Sequence, residues 1–268
     1  MTERRRPTRG PDGPGGARAR VHIAPVGFEV ERITEPVERE RADRVYLVTR
    51  TDRDAAATFV EAVERRLARA DWPVDVRVVR TELWDTFEVV AAYRRIFATE
   101  GRIDRHAPGV LPLRVNVSTG TKITAIAGTL ACMLWNGEPY YVQVSRSWYS
   151  DRPPRAPTVH DVVERVDPVH VYELRAPAPE LVEVLEALRR RGGTLRKREL
   201  LRELGLDRPG SDGTRALSPQ AQHGRLARRL DPLEHRWGFV TTDVHGPRAR
   251  VQLTDQGRVA LTLFGPDR

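Results

Sequence analysis

Between Val21 and Val144 the apolar positions switch repeatedly between two spacings. Short runs that are apolar throughout or alternate with polar residues suit strands, and runs with apolar residues every three or four positions suit amphipathic helices. Val21–Val26 predicts a first strand, ending at Gly27. Glu29–Arg41 predicts a short helix, interrupted near Pro36. Arg44–Thr49 reads as a second strand, and Asp52–Ala70 as a helix with Phe59, Val60, Val63 and Leu67 inward. Val74, Val76 and Val78 alternate, as a third strand requires. Asp85–Thr99 is a helix, Leu111–Val117 a fourth strand, and Ile123–Trp135 an almost wholly apolar helix. Pro139–Val144 gives a fifth strand, and the alternation in Val169–Leu174 predicts a sixth. Repeated strand–helix units imply a mostly parallel, Rossmann-like α/β sheet, doubly wound. This domain is expected over residues 21–175.

Pro177 and Pro179 mark a linker over 176–179, and the pattern then changes. Glu180–Arg191 carries Leu181, Val184, Leu185 and Leu188 on one face, and Gly192-Gly193 ends it. Thr194 is placed to cap a second helix that ends at Gly205, and a polar loop covers Asp207–Ala216. Ser218-Pro219 is a strong helix start, a hydroxyl at the N-cap followed by proline at the first position. That third helix runs to about Leu230. Phe239–Val244 and Arg248–Leu253 flank His245-Gly246-Pro247 as a hairpin, and Thr254 caps a last helix. Three helices, a basic hairpin and a closing helix describe an α+β winged helix-turn-helix over 180–268.

Charge sharpens this division. The chain of 268 residues has a formal net charge of +8. Residues 1–20 hold six arginines against two acids and are rich in Pro and Gly, so a disordered basic tail is expected. Residues 21–175 come to about −1 and residues 176–268 to +5. A near-neutral middle with a basic final domain points to a polyanionic partner for that domain, most simply double-stranded DNA. The single cysteine, Cys132, excludes an internal disulfide and reads as a buried apolar residue. No apolar run reaches membrane-spanning length and the N-terminus lacks the apolar segment of a secretion signal, so a cytoplasmic protein is expected. Seven scattered histidines have no zinc-binding spacing, and neither metal nor cofactor is expected.

The chemistry concentrates where the fourth strand meets the apolar helix, in Asn116-Val117-Ser118-Thr119-Gly120-Thr121-Lys122. Lys122 is one of two lysines in a chain that otherwise uses arginine, and Asn116 is one of two asparagines. Hydroxyls, a glycine, a cation and the amides of a helix N-terminus form an anion-binding turn. A structural turn with a surface lysine is the plainer alternative. A Walker A loop is excluded, since Ile123 follows the lysine and the earlier glycine is missing. In doubly wound sheets ligands sit at the carboxyl ends of strands. Gly27 and Phe28 after the first strand and Thr49 after the second are therefore candidates, beside Ser118, Thr119, Gly120, Thr121 and Lys122. In the basic domain the candidate DNA contacts are Lys197, Gln222, Arg225, Arg228 and Arg229, with His245, Arg248 and Arg250 on the wing.

The Asn116–Lys122 turn is similar to the Thr-Gly-Gly-Thr-Lys-like turn of the CARF-domain proteins, CRISPR-associated Rossmann-like sensors. Ala24-Pro25-Val26-Gly27-Phe28 resembles their first strand and loop. The domain order matches those family members that carry a C-terminal winged helix. This resemblance implies a homodimer whose paired turns hold a cyclic oligoadenylate across the two-fold axis, lined by Gly27, Phe28, Thr119, Gly120, Thr121 and Lys122. It implies a ligand-responsive, DNA-binding transcriptional regulator linked to CRISPR defence. The alternative within the family is an enzyme, either a ring nuclease or a ligand-activated RNase. The Arg-x4–6-His spacing of HEPN-type RNases occurs at Arg155/His160, Arg165/His170 and Arg229/His235, too often in so arginine-rich a chain to discriminate. A plain dinucleotide-binding domain is disfavoured, because only Gly27 stands where Gly-x-Gly-x-x-Gly belongs.

Overall fold

The computed structural model describes residues 19–51, 56–101, 111–145, 162–207, 218–243 and 249–266. Residues 1–18 of the basic tail, most of the 207–216 loop, and His245 and Arg248 of the wing lie outside the described residues, while Arg20 at the tail's end bonds to Asp43 and the Glu40 carbonyl. The chain divides into two compact units, Met1–Leu174 and Arg175–Arg268.

The first unit is a six-stranded sheet in the order β3-β2-β1-β4-β5-β6, with β1 Val21–Pro25, β2 Arg44–Arg50, β3 Asp75–Thr81, β4 Arg114–Asn116, β5 Glu138–Val144 and β6 Val163–Pro168. The first five strands are parallel and β6 runs antiparallel to β5. Four helices connect them: α1 Glu31–Arg39, α2 Ala57–Leu67, α3 Thr86–Thr99 and α4 Lys122–Trp135. The chain steps outward from β1 through β2 to β3, then returns to β4 and steps the other way. Right-handed crossovers then put α1 and α2 on one face and α3 and α4 on the other. Val21, Ile23, Ala24, Leu47, Val48 and Val115 are buried, as strands covered on both faces must be.

Three details depart from the sequence reading. The sixth strand is Val163–Pro168 rather than Val169–Leu174. Residues 169–174 form no strand; Val169 N–H bonds to the Pro139 carbonyl and Leu174 N–H to that of Met133, each at 2.9 Å. Secondly, α1 is not interrupted near Pro36 but passes through it. Thirdly, β4 shortens to three residues. Cys132 is buried in α4 as expected, and burial pushes its thiol well above the ordinary range, which keeps it protonated.

A polar cluster sits inside the amino end of the sheet. His22 on β1, fully buried, bonds through Nδ1 to the Tyr140 hydroxyl at 3.1 Å and through Nε2 to Glu40 at 3.2 Å. Arg114 donates to the same Glu40 carboxylate and lies over the Tyr140 ring at 5.1 Å. Burial holds the His22 imidazole below 6.5, outweighing the upward pull of Glu40. Burial raises Glu40, but His22 and Arg114 bring its carboxyl net below 4.5.

The second unit runs α5 Pro179–Arg190, β7 Thr194–Arg196, α6 Lys197–Glu203, α7 Pro219–Asp231, a π-helical turn Pro232–Arg236, β8 Val240–Thr242, β9 Arg250–Leu253 and α8 Asp255–Phe264. Its strands pair antiparallel in the order β7-β9-β8. Thr194 opens a short strand rather than capping a helix, and α6 begins three residues later. Leu185, Leu188, Leu200, Leu226, Leu233 and Val251 form a core of this unit's own. Ser218 accepts from Ala221 N–H at 3.3 Å with Pro219 behind it, the cap expected of α7. Thr254 caps α8 in the same way, accepting from Gly257 N–H at 3.0 Å.

Candidate functional site: the anion turn and the basic helix

Strand order reverses between β1 and β4, so the loops leaving their carboxyl ends part at a topological switch point. These two loops touch through glycine. A Cβ on Gly27 would lie 3.2 Å from Gly120 Cα and 3.3 Å from its nitrogen. A Cβ on Gly120 would lie 2.6 Å from Pro25 Cβ, and Gly120 has a φ of +76°, a conformation that favours glycine. The candidates Gly27 and Gly120, distant in sequence, thus form one floor.

Asn116 holds the turn from below. It is fully buried; its Oδ1 accepts from Ser118 N–H at 2.9 Å and from the Ser118 hydroxyl at 2.6 Å. Its Nδ2 donates to the Arg32 carbonyl at 2.8 Å. The Arg32 guanidinium, nearly buried in the first turn of α1, reaches the Ser118 carbonyl at 3.4 Å. Sequence reading missed Arg32 and took Asn116 as a member of the turn without a bracing role.

The hydroxyls expected to converge on a ligand have different duties. Ser118 spends its proton on Asn116. Thr121 is the N-cap of α4, accepting from Thr124 N–H at 3.1 Å, while Thr124 Oγ1 accepts from Thr121 N–H at 2.9 Å in a reciprocal capping box. Thr119 is 2% exposed and its hydroxyl has no hydrogen-bond partner. Such a buried, unsatisfied hydroxyl costs free energy unless something else fills it. The amides of Thr119, Gly120, Lys122 and Ile123 meet no acceptor among the described residues. Lys122 is exposed and makes no ion pair among the described residues. Unused amides at the start of a 14-residue helix, a free hydroxyl and a free ammonium therefore share one turn, an arrangement that favours an anion.

Phe28 is 37% exposed beside Gly27 and meets Phe59 edge-on at 5.4 Å. Thr49 is buried at the end of β2, one strand removed from the switch point on the side away from β4.

In the second unit α7 buries Leu226 and Leu230 and exposes Arg225 and Arg228, neither of which is ion-paired among the described residues. Arg229 is engaged, donating to Glu183 of α5 at 3.1 Å. Gln222 donates to the Asp207 carbonyl at 3.4 Å, tying the preceding loop to α7. Lys197 is half-buried at the start of α6 and lines a cleft of about 400 Å³ with His223, Leu226 and His235. Arg250 is exposed on β9 directly opposite Arg196 of β7. Like charges facing each other across strands repel unless an anion lies between them. Arg196 was not among the residues expected to contact DNA.

Among the described residues no three His, Cys, Asp or Glu side chains are grouped to hold a metal ion, and no helix is long and apolar enough to cross a membrane.

A Rossmann-like, mostly parallel sheet followed by a winged helix defines the class of this protein. Residues 20–147 match the HFX_2341_N-like N-terminal domain and residues 180–265 match the DUF6293 C-terminal winged helix domain. The two matches follow one another along the chain, an N-terminal domain and then a winged helix domain. It is 33% identical over 138 residues to the uncharacterised protein MJ1513 of Methanocaldococcus jannaschii, a match over 48% of this chain and 39% of that protein. Among solved structures, Can2 from Sulfobacillus thermosulfidooxidans in complex with cyclic tetra-adenylate overlays with a TM-score of 0.37 at 15% identity, covering 84% of this chain and 70% of that one. Csm6 from Enterococcus italicus bound to cyclic hexa-2′-fluoro-hexa-dAMP overlays with a TM-score of 0.40 at 10% identity, covering 81% and 55%.

Proposed function

We propose that this protein is a cytoplasmic, ligand-responsive transcriptional regulator in which the sheet domain binds a cyclic oligoadenylate and the winged helix binds DNA. The observation that carries the ligand reading is the turn 118–122, with its unpartnered Thr119 hydroxyl, unused amides and unpaired Lys122. Phosphodiesters suit these donors, which are neutral amides and hydroxyls reinforced by one ammonium. The cyclic oligoadenylate as the particular phosphodiester comes from the resemblance of the turn to CARF sensors. The turn is also open to solvent, with Lys122 exposed and Ser118 and Gly120 half-exposed. A second copy related by a two-fold axis would close it, and a cyclic ligand with matching symmetry would meet the same donors from each protomer.

For the output, unpaired Arg225 and Arg228 on α7 support a recognition helix, and facing Arg196 and Arg250 support a phosphate contact by the small sheet. Regulation requires only that the ligand bind two arrangements of the dimer with different affinity. A titration tests the ligand half: cyclic tetra- or hexa-adenylate should raise the melting temperature of the dimer, and Lys122→Ala should remove the rise. An unchanged melting temperature with both rings, together with nucleotide binding indifferent to Lys122→Ala, sinks the sensor reading.

A further inference from the structure

A chain of buried side chains crosses the sheet from the Glu40 carboxylate to the turn after β4. His22, Tyr140 and Asn116 are fully buried. They share one face, since His22 pairs with Arg114, two residues before Asn116, and Asn116 pairs with Tyr140. His22 bonds to Glu40 at 3.2 Å and to the Tyr140 hydroxyl at 3.1 Å, and that hydroxyl in turn bonds to the Asn116 side chain. Asn116 Oδ1 is committed to the Ser118 N–H and hydroxyl, so Nδ2 is the atom left for Tyr140, beside the Arg32 carbonyl. Each proton in this chain then has one place. A carboxylate only accepts, so His22 carries its proton on Nε2. Burial keeps the imidazole neutral, so Nδ1 accepts from the Tyr140 hydroxyl, whose oxygen accepts from Asn116 Nδ2. Glu40 and Arg114 are the charged groups facing His22. Behind them Arg20 donates to the Glu40 carbonyl and Glu138 lies 4.0 Å from Arg114, while β2 presents apolar Val45 opposite His22.

We propose that Tyr140 and His22 are positioning residues for the turn 118–122, which keeps its braced form only while His22 is neutral. This rests on the reading of that turn as a phosphodiester site and adds a proton-linked control to it. The phenolic proton of Tyr140 has two in-plane places, one towards His22 and one towards Asn116. A proton gained at Nδ1 makes His22 a donor there, and the Tyr140 proton must turn towards Asn116, where Nδ2 already points its own hydrogen. Two buried donors facing each other lose their hydrogen bond and stay desolvated. Rotating the Asn116 amide, so that Oδ1 faces Tyr140, relieves the conflict. The same rotation withdraws Oδ1 from the Ser118 N–H and hydroxyl, and the turn loses its brace. Acid and ligand therefore oppose one another, and by reciprocity a ligand on the braced turn makes His22 harder to protonate.

The test uses the full-length protein with nitrogen-15 in its histidine rings, and cyclic tetra-adenylate and cyclic hexa-adenylate as probes. Without ligand, the ring nitrogen shifts should place the His22 proton on Nε2. Asn116→Ala, its fold checked by circular dichroism, should raise the pH at which His22 protonates, and should not do so in a Tyr140→Phe background. With ligand, affinity for whichever ring binds should fall about fivefold between pH 7.5 and pH 5.5, and His22→Gln should flatten that profile. A His22 proton on Nδ1 overturns the proposal. So does an Asn116→Ala that leaves the His22 titration unchanged, or shifts it equally with and without the Tyr140 hydroxyl. If Asn116→Ala does not fold, the wild-type proton position and the pH profile decide. A wild-type affinity flat over that range overturns the control, and if Lys122→Ala still weakens binding then, the phosphodiester reading survives it. If neither ring binds at any pH while the His22 results hold, the phosphodiester reading falls and the proton-linked brace stands.

Discussion

Asn116 supplies the hydrogen bond that Pro36 cannot. In an α-helix the carbonyl of residue 32 would accept from the amide of residue 36, but proline has no N–H. The Arg32 carbonyl instead accepts from Asn116 Nδ2 at 2.8 Å. This is why α1 tolerates Pro36 without interruption, and it ties the first turn of α1 to the turn after β4.

This pairing makes a double-mutant cycle informative. Asn116→Ala should destabilise the protein by about 1–3 kcal/mol, because it removes a buried donor from the Arg32 carbonyl and frees Ser118. Pro36→Ala restores a backbone donor to that carbonyl. The two substitutions together should therefore cost less than their sum, measured by chemical denaturation. Simple additivity would mean that the Pro36 vacancy and the Asn116 amide are unrelated.

Gly120 and Gly101 separate conformational cost from crowding. Both have positive φ, but a Cβ on Gly101 meets nothing within 4 Å whereas one on Gly120 lies 2.6 Å from Pro25 Cβ and 2.7 Å from Thr124 Oγ1. Gly101→Ala should cost about 1 kcal/mol, the penalty of the left-handed conformation alone. Gly120→Ala should cost clearly more and should also abolish ligand binding. Equal costs in urea unfolding would contradict the close approach of the two loops.

Acid should act on the His22–Glu40 cluster in two stages. His22 has a folded value below 6.5, so as pH falls through 6.5 the unfolded chain takes up a proton that the folded chain refuses, and stability drops. This loss levels off below the depressed folded value. Glu40, whose folded value lies below 4.5, contributes stability above 4.5 that is lost as pH falls further. His22→Gln should remove the first stage and leave acid loss at lower pH. Unfolding free energies from pH 7.5 to 5 decide the matter, and a flat wild-type profile there counts against a neutral buried imidazole.

The arginines of α7 should divide into two kinds. Arg225→Ala and Arg228→Ala should each weaken DNA binding and lower the slope of log affinity against log salt by about 1. Arg229→Ala should leave the slope nearly unchanged and lose at most about 1 kcal/mol of stability, since its pair with Glu183 is partly exposed. Titrations at several salt concentrations distinguish them.

Periodicity made the repeated strand–helix units legible, because buried strands and one-sided helices leave strong patterns. It misplaced β6 for a physical reason. Val163–Pro168 is an edge strand with Glu164 and Arg165 exposed, so its sequence lacks regular alternation, whereas Val169–Leu174 alternates without pairing as a strand. The strand β7 has three residues, too few for any period, and exists through pairing with β9. In the site, Gly120 and Lys122 stood out as residue types in a local turn. Arg32 did not, because its place beside that turn comes from the crossing of two distant loops at the switch point.

The contact of Gly27 with Gly120 binds the fates of two positions far apart in the chain. A Cβ on Gly27 would press on the Gly120 backbone, while a Cβ on Gly120 would meet Pro25 Cβ at 2.6 Å and Thr124 Oγ1 at 2.7 Å, so a side chain at either position would force the two loops apart. In a set of relatives a side chain at position 27 should go with a displaced turn at position 120, and one at position 120 with a change at position 25 or 124. A relative with alanine at one position and an unshifted turn at the other would have to have opened a gap elsewhere between β1 and β4.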